Sequence, residues 1–217
     1  MSRRTIVIAT ALLAVCIFGI AGYMYNRSST DREIVNAVSD GGTNLVRPLS
    51  PIMGPAEARV TIVEFFDPAC ESCRAFHPVV KQILKEHPKE ARLVLRYATF
   101  HDGSEEAARI LEAARMQGVF QPVLEALFEA QPAWASHGQP NIAKAWEAAK
   151  AAGLDETRAR REMSLPSVNA ILIQDAADGK ALRVKGTPTF FVNGKSLPSF
   201  GQRQLEDLVR REVVALN

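Results

Sequence analysis

Cys70 and Cys73 stand two residues apart where an apolar run, V-T-I-V-E-F-F-D-P-A, gives way to a helical pattern. At the start of a helix, unpaired amides and the helix dipole stabilise a thiolate on the first sulfur, and the second lies one turn away, within reach of a disulfide. Those are the requirements of a redox couple. Zinc uses the same pair as half of a structural site, but the other half is missing. The remaining cysteine, Cys16, lies in an apolar run, and His77, His87, His101 and His137 form no pair with zinc-ligand spacing, so no metal is expected. A purely structural disulfide is also disfavoured, because closing so short a loop gains little chain entropy.

The apolar run is expected to form a buried strand over 58–66, interrupted by Glu64. That carboxyl is either a solvent-facing edge residue or a buried acid beneath the cysteines, with a raised pKa, that passes protons to and from the buried sulfur. Phe76, Val79, Val80, Ile83 and Leu84 recur at helical spacing and predict a helix ending near His87 and kinked at Pro78. His77, one turn below Cys73, reads as a solvated surface residue.

The next strand is predicted at 92–99, followed by helical segments at 104–117, 122–131, 141–152, 155–163 and 167–177. Asn141 and Asp155 are the expected amino-terminal caps, and Gly118 and Gly153 the stops. Phe120, Leu124, Leu127, Phe128, Trp134, Ile142 and Trp146 read as the core of this helical block. Gly186-Thr187-Pro188 then leads into a strand at 189–192, an Asn193-Gly194 hairpin turn and a strand at 195–197. Leu205, Leu208, Val209, Val213 and Leu216 mark a last helix. Pro188 has no amide for the ladder, so it belongs at the strand's first residue or edge, where a cis bond would be informative.

With 217 residues, 47% of them hydrophobic, the chain can bury one main core plus a small appendage. The net charge of +2 is spread evenly, with no basic run that would announce nucleic acid. Residues 1–26 read as a membrane anchor or signal. Arg3 and Arg4 precede an uncharged, largely apolar stretch at 5–25, long enough as a helix to cross the roughly 30 Å hydrocarbon core of a bilayer. Cleavage after Ala21 or Gly22 is the alternative. Residues 27–55 read as a polar tether with one short helical turn near 33–38, and 56–217 as the folded domain.

Taken in order, these elements and the motifs V-E-F-F-D-P-A-C-E-S-C and V-K-G-T-P-T-F-F-V-N-G-K resemble the thioredoxin superfamily. The helical block, inserted at about 101–180, resembles its DsbA-like branch. The resemblance implies an α/β thioredoxin fold with an all-helical insertion, and roles for individual residues. Cys70 matches an exposed nucleophile and Cys73 its buried resolving partner. Pro188 matches a cis-proline facing the sulfurs, and Thr187 the residue whose backbone meets a bound peptide. Glu64 matches a buried acid. Gly186 would let a substrate backbone approach. Strongly oxidising relatives carry Pro-His between the cysteines, whereas Glu71-Ser72 here would tune the couple toward a less stable thiolate and a lower potential.

The function so implied is an exported thiol-disulfide oxidoreductase that forms, reduces or reshuffles disulfides and needs no cofactor. Its partners would be cysteine-containing exported proteins and a membrane or periplasmic redox protein. It would sit on the extracytoplasmic face, held by 5–25. The rival reading is a non-catalytic chaperone or thiol metal-binding module on the same fold.

Overall fold

Every residue of Val60–Phe66 (β2) but Thr61 is buried, as a central strand with helices on both faces requires. This computed structural model describes residues 45–136 and 138–215. The anchor or signal reading of 1–26, the helical turn near 33–38, most of the tether and Leu216 lie outside the described residues. Among the described residues no helix is long and apolar enough to cross a membrane.

β2 pairs in parallel with Ala91–Tyr97 (β3) and antiparallel with Thr189–Val192 (β4). Ile52–Met53 (β1) adds to the outer edge of β3 and Lys195–Ser196 (β5) to β4, giving the order β1-β3-β2-β4-β5. Asn193 and Gly194 both take positive φ, 46° and 81°, as a two-residue hairpin turn of this hand requires. Asn193 Oδ1 accepts from the Thr61 amide, so the turn also grips β2.

The helices are Glu71–Glu86 (α1), Ser104–Met116 (α2), Phe120–Glu129 (α3), Gln131–Trp134 (α4), Ile142–Ala151 (α5), Glu156–Glu162 (α6), Pro166–Ala181 (α7) and Gln202–Val214 (α8). Pro78 lies inside α1. Asp155 caps α6 by accepting from the Arg158 amide, whereas Asn141 makes no side-chain cap on α5. The helical block is not a separate body. One apolar core joins Ile62, Phe66 and Phe190 of the sheet to Cys73, Leu111, Leu127 and Trp134, with Phe120 and Ile142 packed at its margin.

The domain begins earlier than position 56, which corrects the carboxyl end of the expected tether. Leu45 is buried, Arg47 reaches Asp178, and β1 occupies a place in the sheet. The anchor for this segment is Arg96 on β3, fully buried, which donates to Asp175, Asp178 and the Leu45 carbonyl. Arg96 also lies over the Phe65 ring, 5.3 Å from its centroid.

Candidate active site

Cys70 occupies the N-cap position of α1, with extended backbone and no side-chain cap of its own. Its sulfur therefore sits where the helix amides converge, and Cys73 follows one turn in. The structure holds the pair as two thiols. Cys73 is 1% exposed and Cys70 only 7%, so the expected exposed nucleophile presents little more than one edge. On its open side, the Cys70 thiol donates to the Thr187 carbonyl oxygen at 3.2 Å. The Thr187-Pro188 bond is cis, and Pro188 is buried at the head of β4. Gly186 is exposed, with open space where a side chain would stand.

The turn before Cys70 is organised by Asp67, a residue to which the sequence alone gives no role. Its carboxylate is fully buried and accepts from the amides of Ala69, Phe100 and His101, from His101 Nδ1 at 2.8 Å, and from the Ser104 hydroxyl. Its own amide approaches Cys73 Sγ at 3.4 Å, and its carbonyl accepts from the Cys70 amide. The bond to Ala69 is an Asx turn, for which Asp-Pro just before C-x-x-C is a readable signal. A second support comes from Gln131 on α4. Its amide group donates to the carbonyls of Pro68 at 2.8 Å and Cys70 at 3.0 Å, tying the helical block to the thiol turn.

The two sulfurs are protonated very differently. The hydrogen bond from the Cys73 thiol holds Cys70 down at about 5, against the opposing effect of burial, with help from the amides of Cys73 and Ser72. Burial pushes the Cys73 thiol far above its ordinary value, reinforced by Cys70 and Glu64. Glu64 is buried, as the second of its two readings required. Burial first, and then the Cys70 thiolate, raise it from 4.5 to about 8. At neutral pH this site therefore holds a thiolate, a thiol and a carboxylic acid.

Glu71 and Ser72 are both exposed. Ser72 acts on the thiolate through its amide, and hydrogen bonds from the Cys73 thiol and nearby amides decide the Cys70 value despite the adjacent acid. His77 is not the solvated residue expected. It is half-buried, 5.1 Å from the Phe128 ring between centroids, and burial lowers its pKa. Among the described residues no cluster of histidine, cysteine and carboxylate side chains could hold a metal ion.

The thioredoxin family profile matches residues 47–210. A thioredoxin-like oxidoreductase from Silicibacter pomeroyi DSS-3 is 35% identical, with 76% of this chain and 92% of that one covered and a TM-score of 0.67. The thiol-disulfide exchange protein alpha-DsbA2 from Wolbachia pipientis is 18% identical and shares the fold, with a TM-score of 0.69 over 87% of this chain and 98% of that one. A Na(+)/H(+) antiporter NhaA from Herminiimonas arsenicoxydans is 31% identical over 190 residues, 86% of this chain but 28% of the antiporter. The chain thus spans only about a quarter of the length of the curated relatives it matches. With its two thiols at the head of a helix and a cis-proline beside them, the chain belongs to the thioredoxin family.

Proposed function

We propose that this protein is an exported thiol-disulfide oxidoreductase that exchanges disulfides with cysteine-containing proteins through Cys70 and Cys73. The observation that carries the reading is the asymmetry of the pair: a thiolate-forming Cys70 at the helix start, touching the Thr187 carbonyl, and a buried Cys73 held as thiol. In the oxidising direction a substrate thiolate attacks Cys70 Sγ of the disulfide, and Cys73 departs with a proton supplied from Glu64. A second substrate thiolate then attacks the substrate sulfur of the mixed disulfide and expels the Cys70 thiolate, a good leaving group because its pKa is low. In the reducing direction the Cys70 thiolate attacks first, which removes the charge that helps keep Glu64 protonated; Glu64 gives its own proton to solvent and then takes that of Cys73 as this sulfur resolves the mixed disulfide.

Substrate recognition falls to the backbone beside Pro188. An extended peptide can pair with the edge at Thr187, and Gly186 leaves room for it. The apolar stretch at 5–25 supports export and tethering to the outer face of the cytoplasmic membrane, where exported proteins and a membrane or periplasmic redox partner would be met. The test is capture. Cys73→Ser is expected to accumulate mixed disulfides with exported proteins, and wild type to catalyse insulin reduction while Cys70→Ala does not. Equal activity of wild type and Cys70→Ala would instead favour a binding module.

A further inference from the structure

Asp67 joins two elements that the sequence keeps apart, the turn carrying Cys70 and the loop between β3 and α2. That loop carries His101. Its amide and Nδ1 both meet Asp67 Oδ2, at 3.0 Å and 2.8 Å, so backbone and ring are fixed to one carboxylate oxygen. The other oxygen of the same carboxylate holds Ala69, the residue before Cys70. The imidazole is thus built into the thiol turn, with its side chain 34% exposed.

We propose that His101 is an electrostatic partner of the Cys70 thiolate: oriented by Asp67, its protonated ring adds to the hydrogen bonds that stabilise the reduced form of the couple and so makes the protein a stronger oxidant of substrate dithiols. In balanced form, the Cys70–Cys73 disulfide and a substrate dithiol give the substrate disulfide, the Cys70 thiolate, the Cys73 thiol and one proton released to solvent. A nearby cation favours the product side of that reaction, because only the product carries the thiolate. The proposal rests on the redox reading of the two cysteines and makes His101 a positioning residue rather than a catalytic one.

The surroundings favour the charged imidazole. Glu71 faces it from α1, and Asp102, Glu105, Glu106 and Arg109 line the cavity on its loop and on α2. Arg109 is engaged with Glu105 and Asn169, and Trp146 donates to Glu106. Lys180, Arg183 and Lys185 line a second cavity, which shares Thr99 with the first. Burial opposes protonation of His101, but the Asp67 hydrogen bond and charge, followed by Cys70 and Glu71, outweigh it and lift its pKa above 6.5. Cys70 titrates at about 5, below the imidazole, so there is a pH range in which thiolate and imidazolium coexist.

Coupling between two titrating groups is reciprocal, which gives a test in the wild-type protein. The His101 ring, followed by NMR against pH, is expected to titrate about half a unit to one unit lower in the oxidised protein than in the reduced one. Equal values in the two states overturn the proposal. In His101→Gln, the Cys70 pKa read from thiolate absorbance should rise by the same amount, and the equilibrium constant with glutathione should move about threefold to tenfold toward a weaker oxidant. A wild type that exchanges thiols with glutathione at a potential His101→Gln leaves unmoved ends this proposal alone. A wild type that does not exchange ends the redox reading as well.

Discussion

Two acidic clusters lie on opposite faces of the same two strands. In the register of β2 against β3, Glu64 sits beside Leu95 and Phe65 beside Arg96, so successive residues point to opposite sides of the sheet. On one side Glu64 is buried near the cysteines, and no hydrogen bond to its carboxyl is found among the described residues. On the other side Arg96, equally buried, is met by two carboxylates and a carbonyl. The difference separates two uses of buried charge. A fully answered charge holds elements together, whereas an unanswered carboxyl changes protonation near neutral pH and is available for chemistry.

The largest effect is expected where the answered charge is broken. Arg96→Met keeps much of the volume but removes the buried guanidinium that Asp175 and Asp178 share, so unfolding in urea should show a loss of about 3–5 kcal/mol. The loss should shrink when Asp175→Asn and Asp178→Asn are added, since the cost is that of stranded carboxylates. A loss below about 1 kcal/mol in the single variant would mean that Arg47 and solvent take over the pairing.

Glu64 should behave in the opposite way. Its pKa in the folded chain is raised from 4.5 to about 8, so its contribution is fully present below about 4.5 and is lost as pH climbs through 8. Cys70 has the reverse sign. Its value is lowered from 9.0 to about 5, so its stabilisation is gained as pH rises across that window and, in reduced protein, masks the loss from Glu64. Comparison of Glu64→Gln with wild type in the oxidised protein removes that masking. The variant should match wild type near pH 5 and exceed it by about 2–3 kcal/mol at pH 9, less than the roughly 4–5 kcal/mol that a rise to about 8 implies, because the disulfide lacks the Cys70 thiolate that contributes to that rise. Insulin reduction by the variant should also slow about tenfold to a hundredfold at neutral pH, through loss of the proton carrier. A parallel pH dependence in the two proteins would place the titration elsewhere.

The same contrast governs what could be read from the chain alone. Features set by local chemistry were legible: the strand before the cysteines, the Asn193-Gly194 turn, the helix after Cys70, and Pro188 at the head of its strand. Features set by distant partners were not. Arg96 reads as one more polar residue in a strand, because the two acids that let it be buried lie 79 and 82 residues further on. The segment at 45–55 reads as tether because the features that fold it down, Arg96, Asp178 and the edge of β3, are absent from its own composition. Asp67 lies within the motif before the cysteines, yet its role is not legible there, since four of its five donors come from the loop before α2 and the first residue of that helix, 33 to 37 residues away.

Gln131 marks the smallest effect, and the one that ties the two clusters' lesson to the thiol itself. It fell at the end of a predicted helix, yet it opens α4 and is 1% exposed, with its Nε2 hydrogens on Pro68 and Cys70 while its Oε1 has no partner among the described residues. It is thus answered on one atom and unanswered on the other. Gln131→Leu removes two donors from buried carbonyls and should cost about 1–2 kcal/mol in urea unfolding. The Cys70 carbonyl also accepts from the Arg74 amide, so α1 should keep its start and circular dichroism should be unchanged. Gln131→Glu turns the donor into an acceptor facing two carbonyls. Unless it is protonated it should cost more than the leucine, with a penalty that grows from pH 5 to pH 8. A glutamate variant no less stable than the leucine one at pH 8 would show that the amide is a filler of space and not the strap that holds the Cys70 turn.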